Sequence, residues 1–202
     1  MSKRQREFFN QVAATWDAER HERPQEPGLQ RLAERVARYG RDAGVVLDAG
    51  CGTGVLARLL REVCPDAVVI ELDAAEEMLR VNREKHTDGR LVRMLGDARA
   101  LPFPDGVVDL VVCFQAAPHM GPPHEGLRDL YRVLAPGGLL AVCNLSDSAE
   151  LNRMHAGMDA AVAHDHMPAA DRVAGLLSSW GGTDVLADEE TGWYWVSAVK
   201  PK

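Results

Sequence analysis

The chain has 202 residues, with 23 Lys and Arg against 30 Asp and Glu, a formal net charge of −7, and 46% hydrophobic residues. Such proportions suit a globular chain that buries one core without disulfide or metal staples, so a single domain spanning residues 1–202 is expected. The acidic balance argues against nucleic acid, which needs clustered Lys and Arg, and no run reaches the roughly 18 apolar residues of a membrane span. The basic start, MSKRQREFF, lacks the apolar centre of an export signal, and the four cysteines (Cys51, Cys64, Cys113, Cys143) form no CxxC. A cytoplasmic protein with neither nucleic-acid nor membrane partner is expected.

A helix is predicted over about 5–17, where Phe8, Phe9, Val12 and Trp16 fall at helical spacing. Pro24, Pro27 and Gly28 break the pattern, and a second helix follows over about 29–39, so residues 1–40 form a helical segment. The chain then alternates. Strands are predicted near 45–49, 67–72, 90–95, 107–114 and 138–145, and helices near 54–63, 75–85 and 124–134. Continuous apolar strands separated by amphipathic helices predict a parallel sheet covered on both faces. Ala135–Gly138, APGG, reads as the turn that launches the fifth strand. A helical insertion over 146–180, interrupted near Pro168, precedes TDVLAD and WYWVSAVK, two strands that pair as an antiparallel hairpin.

The stretch VVLDAGCGTG, Val45–Gly54, places an acid and three alternate glycines at the end of the first strand. Ligands of open parallel sheets bind beyond such strand ends. Two cofactor classes use turns of this kind, dinucleotides and S-adenosylmethionine (SAM). The dinucleotide fingerprint is GxGxxG; here the spacing is GxGxG and residue 55 is Val. Asp48 beside the turn would repel a pyrophosphate and suits the cationic amino end of SAM. Asp73, about 20 residues on, ends the second strand where an acid can grip ribose hydroxyls, with Glu71 as a second choice or a solvated edge charge. Asp97, in GDARALPFPDG, follows the third strand and is placed to accept from an adenine amino group.

Five segments in order, FFNQVAATWD, VLDAGCGTG, ELDAAEEML, GDARALPFPDGVVDLVV and LYRVLAPGGLLAV, cover about residues 8–145. Together they resemble the class I SAM-dependent methyltransferases, especially the small-molecule branch that includes quinone-biosynthesis C-methyltransferases. The resemblance implies an α/β fold: a Rossmann-like, seven-stranded, mostly parallel sheet with helices on both faces and a C-terminal antiparallel hairpin. It implies SAM as cofactor and a small-molecule methyl acceptor. Asp48, Gly50, Cys51 and Gly52 would hold the methionine end, and Asp73 with Ala74 the ribose. Asp97 and Ala98 would read the adenine, Met78 would pack near it, and Gln115 would lie beside the amino-acid portion. The N-terminal helix becomes a lid, walled by Phe9 and Trp16.

Catalysis of methyl transfer is largely in-line positioning, with a base needed only where the acceptor loses a proton. His119 stands just past the fourth strand, and His155, His164 and His166 fall in the insertion, where Asn152, His155 and Asp159 would share a helix face. His119, His155 and His164 are the candidate catalytic residues. They either converge as a base or as ligands of a metal, or are histidines of a lid surface; no HxxxH or HxxEH pattern supports a resident metal. His21, His86 and His124 read as exposed. Rival readings are a non-catalytic SAM-binding sensor, a nicotinamide-dependent oxidoreductase, and methyl transfer to a protein. The chain could be a monomer or a homodimer.

Overall fold

The computed structural model describes residues 1–20 and 26–202. His21 and Pro24 lie outside the described residues, as does the side chain of His124. Seven strands form one sheet in the order β3-β2-β1-β4-β5-β7-β6. The first five are β1 (Val45–Ala49), β2 (Val68–Asp73), β3 (Leu91–Leu95), β4 (Val108–Phe114) and β5 (Leu134–Asn144). All pairs among these five are parallel. β6 (Thr183–Glu190) and β7 (Trp193–Val199) pair antiparallel, and β7 lies antiparallel against β5. The strand order reverses between β1 and β4, which sets the ligand crevice above their carboxyl ends.

Strand side chains alternate between two cores. Val46, Val69, Leu110, Val112, Leu139, Ala141 and Trp195 face one, covered by α3 (Glu26–Gly40) and α4 (Ala57–Val63). Leu47, Val111, Cys113, Leu140, Val142 and Tyr194 face the other, which takes in Leu130 of α6 (Pro123–Val133) and Val173 of α8 (Ala170–Ser179). Burial on both faces is why these strands read as unbroken apolar runs. Truncating one such residue, for instance Leu110→Ala, should cost about 2–5 kcal/mol.

Several elements depart from the sequence-based expectation. The first helix divides into α1 (Lys3–Val12) and α2 (Trp16–Arg20), and Ser2 caps α1 in a reciprocal box with Gln5. α3 begins at Glu26 and takes Pro27 into its first turn, where a missing N–H is tolerated. Gly28 lies against Leu145, whose terminal methyl would have to move from a Cβ placed 2.3 Å away. β5 begins at Leu134, so APGG is a bulge inside the strand and not a separate turn. Its register against β4 shifts between the Val108 and Leu110 pairings. α5 (Glu76–Lys85) and α7 (Ser148–Ala156) complete the helices. Among the described residues no helix is long and apolar enough to cross a membrane.

Candidate active site

The carboxyl ends of four neighbouring strands converge on one cleft of about 1010 Å3, including its solvent-open mouth. Asp48 comes from β1, Asp73 from β2, Asp97 from just beyond β3 and Gln115 from just beyond β4. The cleft is lined by all ten residues expected to meet the cofactor: Asp48, Gly50, Cys51, Gly52, Asp73, Ala74, Met78, Asp97, Ala98 and Gln115. Phe9, Trp16 and Asp17 of the N-terminal helices close one side. Phe9 and Trp16 meet edge to face at 5.6 Å.

The glycine turn owes its shape to φ angles of +79° at Gly50 and +54° at Gly52. A Cβ on Gly50 would stand 2.4 Å from that of Ala116, so the β1 and β4 loops close only on glycine. The Gly50 and Cys51 amides both donate to the Leu72 carbonyl, at 2.8 and 3.0 Å. Asp73 is fixed by two amides: Gly52 N–H donates to Oδ2 at 2.9 Å and Ala75 N–H to Oδ1 at 2.8 Å. Burial raises the Asp73 pKa, and those two amides hold the rise down. Gln115 sits at φ +53°, a left-handed backbone unusual for a residue with a Cβ and frequent at functional sites.

Asp48 is the least satisfied group in the cleft. It is 1% exposed, and its Oδ2 has no hydrogen-bond partner among the described residues. Burial, then the charges of Glu71 and Asp73, push its carboxyl well above the usual carboxylate range. A buried, unpartnered carboxylate among like charges calls for an arriving cation, and the ammonium of SAM is one. Asp97 behaves oppositely. Burial alone would raise its pKa, but bonds from the Arg99 guanidinium and the Met1 ammonium hold it well below the usual range. Those contacts measure 2.8 and 2.6 Å.

A second cluster forms the far wall. His119, on a short 3-10 turn (Ala117–Met120), lines the cleft and places Nδ1 2.7 Å from Asp165 Oδ2. Its ring meets Phe9 edge to face at 5.0 Å and tilts against His155 at 5.0 Å. His155 is 2% exposed, with Nδ1 3.1 Å from the Asp165 carbonyl. His155 thus backs His119 and stays off the cleft lining. His164 and His166 are both exposed, because residues 159–165 coil and turn Asp165, not His164, toward His119. α7 ends at Ala156, so Asp159 is off the helix, and Asn152 instead donates to the Met167 carbonyl at 2.9 Å. Among the described residues no three His, Cys, Asp or Glu side chains could hold a metal together.

Two further residues differ from expectation. Glu71 is neither a ribose ligand nor a solvated charge: it is fully buried, accepts from Asn82 Nδ2 at 2.9 Å and faces Arg93 Nε at 3.1 Å. His86 is half-buried beneath the glycine turn, where burial lowers its pKa. The four cysteines are free and buried. Burial raises the thiol pKa of each, in Cys64 to about 11. Cys64, Cys113 and Cys143 are inert core residues, whereas Cys51 lines the cleft.

Acids and a glycine turn at successive strand ends of a Rossmann-like sheet define a binder of an adenosine-containing cofactor. Known proteins narrow that class. The family model described as "Methyltransferase domain" matches residues 47–142. The malonyl-[acyl-carrier protein] O-methyltransferase of Laribacter hongkongensis is 37% identical over 169 residues, covering 78% of this chain and 56% of that one. The ubiquinone/menaquinone biosynthesis C-methyltransferase of Bordetella avium is 32% identical over 200 residues, covering 96% and 72%. A solved chain from the complex of the Haloferax volcanii Trm112 methyltransferase activator with a methyltransferase superposes with a TM-score of 0.74. It is 20% identical and covers 96% of this chain and 98% of that one. The chain belongs to the class I SAM-dependent methyltransferases, whose cofactor is SAM. It spans about half the length of most of the curated relatives that it matches.

Proposed function

We propose that this chain transfers the methyl group of SAM to a small-molecule acceptor, working as a single domain in the cytoplasm. The observation that carries the reading is Asp48, whose buried Oδ2 has no hydrogen-bond partner among the described residues, in a cleft floored by a glycine turn. Among its relatives, one is named for O-methyl transfer to malonyl-[acyl-carrier protein] and another for C-methyl transfer in ubiquinone/menaquinone biosynthesis. The quinone-biosynthesis name supports a small-molecule acceptor.

Bound SAM supplies a sulfonium methyl that is open to in-line attack. Asp48 takes the ammonium, with the Gly50, Cys51 and Gly52 backbone against the methionine end. Asp73 takes the ribose hydroxyls beside Ala74. Asp97 and the Ala98 backbone meet the adenine edge, and Met78 packs on its face. Gln115 lies beside the amino-acid portion. Asp17 fastens the N-terminal lid: Thr53 Oγ1 and Lys85 Nζ each donate to its carboxylate at 2.6 Å. A closed lid excludes water and holds the acceptor near attack distance, which can supply several kcal/mol of barrier reduction. His164, exposed and off the cleft, takes no part.

The test is label transfer from methyl-tritiated SAM into a cell extract, followed by separation by size. Label in the small-molecule fraction, absent with Asp73→Ala, supports the reading. Label in protein or nucleic acid overturns the acceptor class, and bound SAM without label favours a sensor.

A further inference from the structure

The insertion brings together three groups that the cofactor does not use. Gln5 of α1, Asp165 of the loop before α8 and His119 of the 3-10 turn are joined by consecutive hydrogen bonds. Gln5 Nε2 lies 2.7 Å from Asp165 Oδ1 and 2.9 Å from Oδ2, and Asp165 Oδ2 lies 2.7 Å from His119 Nδ1. Gln5 is only 8% exposed, although it is polar and on a surface helix. Its Oε1 is fixed in turn by the Ser2 amide at 2.8 Å, so the capping box of α1 orients the very amide that reaches Asp165.

An ionised carboxylate only accepts hydrogen bonds, so His119 Nδ1 must carry the proton in this pair. The neutral ring then has a bare Nε2, and Nε2 has no protein hydrogen bond among the described residues. The Phe9 and His155 rings, each 5.0 Å away, pack against the imidazole. An oriented imidazole that lines a cleft, with one nitrogen on a carboxylate and the other without a hydrogen bond among the described residues, is the arrangement of a general base.

We propose that Gln5, Asp165 and His119 form a base assembled by docking of the N-terminal lid, with His119 Nε2 removing a proton from the methyl acceptor. The inference rests on the methyl-transfer reading. As the acceptor's oxygen or carbon forms its new bond to the methyl carbon, the carbon–sulfur bond breaks and sulfur keeps its electron pair. The acceptor's proton passes to Nε2, and the resulting imidazolium, paired with Asp165, later loses it to water. His119 is the catalytic residue; Asp165 and Gln5 are positioning residues. Because Gln5 lies on α1, the base is complete only when the lid is down. The acceptor is then a weak acid that must lose a proton on methylation, bearing a hydroxyl or an activated C–H. A carboxylate, already ionised, needs no such base.

Two measurements test this. Nitrogen-15 NMR of the histidine rings at neutral pH should show His119 protonated at Nδ1 in the wild type, and a mixture of tautomers in Asp165→Asn. The groups facing the ring are Asp165, His155 and Phe9, with the charge of Asp73 nearby. A wild-type ring protonated at Nε2 overturns the proposal. In the tritiated-SAM extract assay, His119→Gln and Asp165→Asn should each lose label transfer about 100-fold or more. Gln5→Leu should lose roughly tenfold, the scale of one hydrogen bond to a charged group. Affinity for S-adenosylhomocysteine should stay within about twofold of wild type in all three, and Asp165→Glu should recover part of the loss. Transfer by His119→Gln within about threefold of wild type overturns the base. So does a product that releases methanol in mild alkali, the mark of a methyl ester. A wild type that binds SAM and labels nothing overturns methyl transfer, and with it the base; the NMR tautomer is read independently.

Discussion

Replacing Gly50 with Ala probes the close approach on which the cleft depends. At φ +79° the left-handed backbone costs an L-residue about 1–2 kcal/mol. The new Cβ would also lie 2.4 Å from the Ala116 Cβ, with the Met120 methyl at 3.5 Å. Neither β-carbon can rotate away, so the loop after β4 must shift, at an overpacking cost of about 1–3 kcal/mol. The sum is about 2–5 kcal/mol, or a fall in Tm of about 4–20 °C for a chain of this size. Gly52→Ala is the control: φ is +54° and, among the described residues, nothing lies within 4 Å of its Cβ, leaving only the backbone cost. Urea unfolding of both variants measures the difference, expected at about 1–3 kcal/mol. Adding Ala116→Gly should couple to Gly50→Ala with a similar magnitude and leave Gly52→Ala unaffected. Equal stabilities for the two glycine variants, within about 0.5 kcal/mol, would refute the steric reasoning.

Further outcomes follow from other contacts. A carboxyl with a raised folded-state pKa stabilises the fold below its unfolded pKa and loses that contribution as pH rises through the folded value. Asp48→Asn should therefore raise the Tm of the cofactor-free protein at neutral pH, flatten its dependence above pH 4 and weaken SAM binding; a lower Tm at pH 7.5 would contradict the raised pKa. Arg93→Ala removes the cation that faces the buried Glu71 carboxylate and should cost about 3–5 kcal/mol by denaturant titration, with partial recovery in Glu71→Gln/Arg93→Ala. Asp17→Ala releases both lid contacts and should weaken SAM binding at least tenfold by calorimetry while leaving Tm nearly unchanged. Native protein should show no thiol reactive to Ellman's reagent at pH 8, and all four after unfolding.

What the sequence discloses depends on how local the signal is. β1, β2 and β4 are legible because double-sided burial makes them unbroken apolar runs. The acids at their ends and the glycine turn are each set by a few neighbouring residues. β5 is longer than it reads, because a bulge admits Pro136 and Gly137 to a strand that the APGG signal argues against. Glu71 carries an overlooked signal: a charge inside an apolar strand, directly paired in register with Arg93 of β3, implies a buried ion pair. Gln5, His119 and Asp165 were not legible as a unit. They are separated by more than 40 residues each, and Asp165 sits in a coiled segment where no periodicity orients a side chain. His164, its neighbour, had equal claim from the sequence and is turned outward by one residue of coil.

The central claim is that this cleft holds SAM through the acids at the ends of β1, β2 and β3. Isothermal titration of the wild type and Asp73→Ala with SAM and with NADH tests it most directly. The account predicts saturable SAM binding by the wild type, at least a hundredfold loss in Asp73→Ala and no NADH binding by either protein. NADH binding, or SAM binding that survives Asp73→Ala undiminished, would contradict it.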